Sequence, residues 1–197
     1  MVSFALSTAL PSDVLSQSVW LGAVAGRVES RQLRDREPDT GTRTGLLAGA
    51  FVDVQTPAPL LSVLGEAAWV QRGARVRLPT FQPTFGDVEG DYLAMTVAPT
   101  LRLGIRGVSV FVYGGPTLEF PVRTRSSGEL ESLYANPSDQ VFSVTAGAGV
   151  EVRRGSWSAR GEARVTEGLS AAYTGAAGDF RHRSTEILLR LGRMRGR

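Results

Sequence analysis

From Ser18 onward the chain divides into stretches in which apolar and polar side chains alternate with a period of two, separated by clusters of Gly, Pro, Asp and Ser. That period belongs to a strand with two chemically different faces, and no stretch carries the apolar stripe of a helix. Eight stretches are read, at approximately 18–33, 44–56, 60–78, 92–106, 108–124, 140–154, 157–174 and 183–195. With 197 residues the chain fits one domain. Residues 18–197 are read as that domain, preceded by an N-terminal segment at 1–17. No apolar run approaches the ~18 residues of a transmembrane helix, whereas a membrane strand needs only ~9–11 residues with one apolar face.

The connections are read as alternating in length. Short turns are expected at Pro57–Pro59, Arg106-Gly107 and Arg154–Ser156, and long polar loops at Arg34–Arg43, Thr80–Asp91, Arg125–Asp139 and Gly175–His182. An up-and-down barrel with ends in different environments has this pattern, with short turns at the periplasmic end and long loops outside. The fold expected is an all-β, eight-stranded antiparallel up-and-down transmembrane β-barrel. Pro99 and Pro116 fall inside strands and are read as bulge positions, and Pro121 marks an irregular upper part of the fifth strand.

The orientation of the two faces decides between a membrane barrel and a soluble one. In the sixth stretch Phe142, Val144, Ala146, Ala148, Val150 and Val152 oppose Ser143, Thr145, Gly147, Gly149, Glu151 and Arg153. The polar faces gather Glu66, Arg72, Arg102, Glu119, Arg123, Glu151, Arg153, Arg160, Glu162, Arg164, Glu186 and Arg190, a balanced set suited to an enclosed ion-pair network in the lumen. Trp20 and Trp157 near the short turns, and Phe120, Phe142 and Tyr173 near the long loops, resemble two interfacial aromatic girdles. These features put the apolar faces against lipid. Two alternatives stay open: a soluble lipocalin-like carrier with Phe142 and Val144 inside around an apolar ligand, and a narrow pore for small solutes.

The chain resembles the outer-membrane β-barrel domain of PorT-like and related "porin family" proteins, which are OmpA-like in shape. The resemblance covers roughly 44–194. It rests on Gly45-Leu46-Leu47-Ala48-Gly49, on Glu66-Ala67-Ala68-Trp69-Val70-Gln71-Arg72-Gly73, on Tyr92-Leu93-Ala94-Met95-Thr96-Val97-Ala98-Pro99, and on Val112-Tyr113-Gly114-Gly115-Pro116. It implies an integral protein of the cell outer membrane of a Gram-negative bacterium and carries no established activity with it. Two features depart from the pattern. Val2–Leu10 is apolar but has neither a basic n-region nor an A-x-A site, so no intact signal peptide is read there, and the end at Arg195-Gly196-Arg197 lacks the terminal aromatic.

Little in the sequence points to catalysis. There is no cysteine, which removes disulfides, thiolate metal sites and a thiol nucleophile. All 22 cationic side chains are arginine, so no lysine amine is present for Schiff-base chemistry. His182, between Arg181 and Arg183, is the single histidine; it is read as a solvated loop residue, and no serine, histidine and acid triad can be assembled around it. The acidic alternation Asp87, Glu89 and Asp91 offers oxygen atoms of the kind that bind Ca²⁺ but without a matching loop motif, and reads as a solvated acidic loop. Glu151 with Glu162 reads as salt-bridged rather than as an acid–base pair. Gly114-Gly115-Pro116 and Gly147-x-Gly149 lack the strand-to-helix setting of a phosphate loop. The net charge of +3 and pI of about 9.9 raise nucleic-acid binding, but the arginines alternate with acids instead of forming a patch, apart from 190–197. No enzyme activity, cofactor, metal or nucleic-acid partner is expected. The expected partners are the outer-membrane bilayer and a protein docking at the long loops, where Glu129, Glu131, Tyr134 and Asn136 offer a recognition surface.

Overall fold

In the computed structural model, residues 18–34, 40–78, 84–126, 138–175 and 178–195 are described. Among them the structure is all β: β1 (Val19–Arg34), β2 (Thr40–Gln55), β3 (Leu61–Leu78), β4 (Thr84–Ile105), β5 (Val108–Ser126), β6 (Val141–Arg154), β7 (Trp157–Gly168), β8 (Tyr173–Gly175) and β9 (Gly178–Arg195). From β1 to β7 each strand pairs antiparallel with the next, β7 and β8 both pair with β9, and β1 closes on β9 from Val19–Arg195 to Arg34–Phe180. The result is a closed eight-stranded barrel, in which the short β8 is an outlying continuation of β7. Between them, Leu169 and Ser170 both donate their backbone N–H to the Phe142 carbonyl, an irregularity that divides the expected seventh strand. Closure removes the sheet edges through the body of the barrel.

The turn at Arg106-Gly107 has positive φ at both residues (53° and 86°), the backbone of the tight hairpin turn whose twist matches its flanking strands. At the other end the strands run further than the sequence suggested. β4 starts at Thr84 and β9 at Gly178, so Asp87, Glu89 and Asp91 lie on β4 rather than in a loop, and most of the expected Gly175–His182 loop is strand. The connections 35–39 and 79–83 are correspondingly brief. The difference between the barrel's ends therefore resides in the strands, which carry on past the apolar band, together with the long connection expected between β5 and β6, which spans residues 127–140. On β4 that band runs outward from Leu93 to Ile105, roughly 30 Å in height at the ~40° tilt usual for such barrels, and Thr84–Tyr92 extends beyond it.

The prolines act differently from the bulges expected of them. Between β4 and β5 one register links Thr96–Thr117 and Thr100–Tyr113, and Pro99 and Pro116 both fall in the unpaired interval between. Two residues without an N–H donor thus share one gap in the ladder. The slip lies higher, at Asp91/Tyr92, where Asp91 faces Arg123 and Tyr92 faces Pro121, so Val122 is the extra residue. The irregularity expected near Pro121 is present.

A charge-filled lumen

Through the apolar band, burial alternates along the eight barrel strands and places the apolar faces outward. Phe142 and Val144 are 52% and 44% exposed, and Leu93, Met95, Val97, Leu101, Leu103, Ile187, Leu189 and Leu191 also point out. The inward positions carry the charge. Arg160 and Arg190 are 1% and 0% exposed, with Glu119, Glu151 and Glu186 equally enclosed. An apolar exterior around a charged interior inverts a soluble core, and only a hydrocarbon surrounding makes it favourable.

The interior charges form two systems. Toward the short turns, Asp53 on β2, Arg102 on β4, Glu151 on β6 and Arg160 on β7 close a ring. Arg102 donates to Asp53 at 2.6 Å and contacts Glu151 at 2.9 Å, while Arg160 reaches Asp53 at 2.5 Å and Glu151 at 2.8 Å. Cations and carboxylates alternate around it, so each guanidinium spans two acids from different strands. Ser62 accepts a further hydrogen bond from Arg102 (3.1 Å), and Arg153 reaches Glu151 at 3.1 Å from the rim.

Toward the other end the charges form a chain. The Tyr113 hydroxyl donates to Glu162 at 2.9 Å; Arg190 grips Glu162 with two donors, at 2.7 and 3.0 Å, and reaches Glu66 at 2.7 Å. Glu66 also accepts from Arg164 at 2.7 Å, and Arg164 pairs with Glu186. Arg72 then joins Glu186 (3.3 Å), Ser184 and Glu119 (3.0 Å), and His182 Nε2 ends the chain 2.9 Å from Glu119. Bidentate and shared guanidinium contacts suit such a network because the planar fork holds two acceptors at once. A belt of threonines, Thr96, Thr117, Thr145 and Thr166, links β4 to β7 through hydroxyl contacts of 2.7–3.0 Å.

Aromatic rings occupy the level between the two systems. The guanidiniums of Arg160 and Arg190 lie 5.3 and 5.4 Å from the Phe51 ring centre, within the range of a cation–π contact. Inward glycines make room for the rings: a Cβ on Gly147 would come within 2.6 Å of the Tyr113 ring, and one on Gly192 within 2.9 Å of Phe51. The glycines thus serve packing, with the small positions next to the large ones in a narrow barrel.

Of the lumen residues expected from sequence, Glu66, Arg72, Arg102, Glu119, Glu151, Arg153, Arg160, Glu162, Arg164, Glu186 and Arg190 meet in these two systems. Arg123 does not. The extra residue Val122 reverses the side-chain phase above it, so Arg123 is exposed opposite Asp91. Glu151 and Glu162 belong to separate systems and do not form a pair.

Three participants escaped the sequence reading. Asp53 sits between Val52 and Val54, and an acid flanked by apolar residues in a membrane strand has only the lumen to face. Tyr113 shares its inward phase with Thr117 and Glu119. His182 was expected to be a solvated loop residue, but it is buried on β9, because Arg181-His182-Arg183-Ser184-Thr185-Glu186 is itself an alternating strand with His182, Ser184 and Glu186 inside.

The aromatic assignments divide as well. Trp157 is outward and 59% exposed, with Arg193 stacked 5.7 Å from its ring, and Phe142 is also outward; Phe120 is half-buried. Trp20 is inside: β1 is apolar on both faces, so alternation could not orient it, and its ring packs under Arg153 at 4.8 Å near the lower mouth. Tyr173 lies on β8, at the end expected. The surface expected of Glu129, Glu131, Tyr134 and Asn136, and the N-terminal segment 1–17, lie outside the described residues.

No family model matches the chain, and neither does any curated protein. Among solved structures, the outer membrane protein OprG from Pseudomonas aeruginosa has 9% sequence identity and a TM-score of 0.59, over 92% of this chain and 96% of that one. Neisserial surface protein A (NspA) has 8% identity and a TM-score of 0.54, over 88% and 96%. Ail, the attachment invasion locus protein of Yersinia pestis, has 14% identity and a TM-score of 0.45, over 88% and 98%. The OprG and NspA likenesses, at such identities, are likenesses of fold. Closure in eight strands, the inverted burial and these two structures agree, and the chain has the fold of the eight-stranded outer-membrane β-barrel proteins.

Proposed function

We propose that the protein is an integral outer-membrane barrel with a sealed lumen, and that it serves as a structural or interaction protein, without enzymatic activity, through the strand ends that rise beyond the lipid band and the loops that join them. The observation that carries this reading is the filled interior. The Asp53–Arg102–Glu151–Arg160 ring spans the barrel at one level, and the chain from Tyr113 to His182 occupies the levels above it. Eight strands enclose a space that side chains of this size fill. An ion crossing it would have to displace paired charges in succession. The carrier alternative needs an apolar cavity lined by Phe142 and Val144, and both face outward.

Planar-bilayer recording of the refolded protein tests the sealed lumen. The expected record is silent at ±100 mV in 1 M KCl, roughly the conditions under which an open pore conducts readily. Reproducible single-channel steps would replace this reading with the narrow-pore alternative.

A further inference from the structure

Above the apolar band, two neighbouring strands carry an arginine cluster on the outside of the barrel. The outward series of β1 runs Leu21, Ala23, Ala25, Arg27, Glu29, Arg31, and that of β9 runs Leu191, Leu189, Ile187, Thr185, Arg183, Arg181. Arg31 and Arg183 are direct cross-strand partners. Arg27 is paired with Glu29 at 2.8 Å, and Arg183 approaches Glu167 at 3.8 Å. Arg31 and Arg181 have no acidic partner among the described residues. Among the described side chains, four cations thus meet two carboxylates.

Elsewhere the same chain avoids this. At the matching height on β4 and β5, Asp91 stands opposite Arg123 and Glu89 opposite Arg125, and Glu89 also binds Arg43 at 2.5 Å. Inside the lumen Arg160 stands opposite Arg190, but each is held by two carboxylates. Like charges directly opposite on adjacent strands repel. On the β9–β1 face, an anion from outside the chain would relieve that repulsion.

We propose that the outer end of the β9–β1 face binds the phosphate of an anionic lipid headgroup in the outer leaflet, clamped between Arg31 and Arg183 with Arg181 beside them. Guanidinium forks match phosphate oxygens with two parallel hydrogen bonds. The height selects a lipid over a free anion. The Arg31–Arg183 pair stands four residues beyond Ile187, the last apolar outward residue of β9, and the acyl chains below would lie along Ile187, Leu189 and Leu191 and the small Ala23 and Ala25. This inference rests on the membrane reading above.

The test uses full-length protein refolded in non-ionic detergent and native mass spectrometry with three probes: phosphorylated lipid A, dephosphorylated lipid A and inorganic phosphate. Wild type is expected to retain the phosphorylated lipid at least about tenfold more tightly than the dephosphorylated one, and to ignore inorganic phosphate. R31Q/R183Q should lose that preference, with R183Q alone in between, while R123Q/R125Q on the balanced face stays within about twofold of wild type. Heat-modifiable migration reports folding of each variant; should the double variant not fold, R183Q decides. Unchanged binding in R183Q, an equal loss in R123Q/R125Q, or equal affinity for inorganic phosphate would overturn the proposal. Flotation of wild type with pure phosphatidylcholine vesicles separates the two readings. Failure to float removes the membrane reading itself, whereas flotation without phosphate preference removes only the lipid site.

Discussion

Arg160 and Arg190 stand directly opposite each other on β7 and β9, both fully buried, yet their guanidiniums turn to different carboxylates: Arg160 to Asp53 and Glu151, Arg190 to Glu66 and Glu162. Cross-strand neighbours of like charge repel, and inside a barrel there is little water to screen them. Their divergence divides the lumen into a lower ring and an upper chain. Each buried arginine is tolerated because its charge is neutralised by carboxylates from other strands.

Removing one cation should therefore cost more than its own contacts. Arg190→Leu leaves Glu66 with Arg164 alone and strips Glu162 of its guanidinium. A loss of about 3–5 kcal/mol is expected in urea unfolding from lipid vesicles, followed by tryptophan fluorescence. Adding Glu162→Gln should recover part of that loss, because the stranded negative charge is then gone. A single variant as stable as wild type would mean that the upper chain of charges contributes nothing.

Phe51 is the shared neighbour of the two arginines. Phe51→Ala should destabilise by about 3–5 kcal/mol through the cavity and the lost ring contacts. Phe51→Leu keeps most of the volume but not the π face, so its loss relative to wild type reports the cation–π share, expected at about 1–2 kcal/mol per desolvated contact, and the further loss in Phe51→Ala reports the cavity. The same unfolding assay reads both. Equal stability of Phe51→Leu and wild type would reduce the ring to a filler.

Glycine placement gives a steric prediction. A Cβ on Gly147 would meet the Tyr113 ring at 2.6 Å, so Gly147→Val should cost about 1–3 kcal/mol. Tyr113→Ala in the same chain should relieve much of the clash, and a double-mutant cycle measures the coupling. Additive effects would show that the two positions do not meet.

The fold was legible because membrane strands must alternate: Phe142 to Val152 and Ile187 to Leu191 carry one face each, and most of the lumen charges share the opposite phase. The failures occurred where alternation gives no answer. Trp20 lies in a strand apolar on both sides, and Arg123 lies above a one-residue bulge that no local motif marks beyond Pro121. His182 and Asp91 read as loop residues because polar residues and glycines signal a turn as readily as the solvated end of a strand. Pairing partners could not be read at all. Which carboxylate each arginine takes depends on register across strands distant in sequence, as for Arg160 with Asp53.

The central claim is that the apolar faces meet lipid while the charges face one another inside, and the absence of cysteine allows a direct test. Single cysteines placed in turn from Phe142 to Val152 and spin-labelled in reconstituted vesicles report oxygen and water-soluble nickel accessibility at each site. The account predicts a period of two, with oxygen access high and nickel access low at 142, 144, 146, 148, 150 and 152, and with both low at the positions between. The reverse phase, with the apolar positions sheltered from both probes and the charged ones reached by nickel, would contradict it.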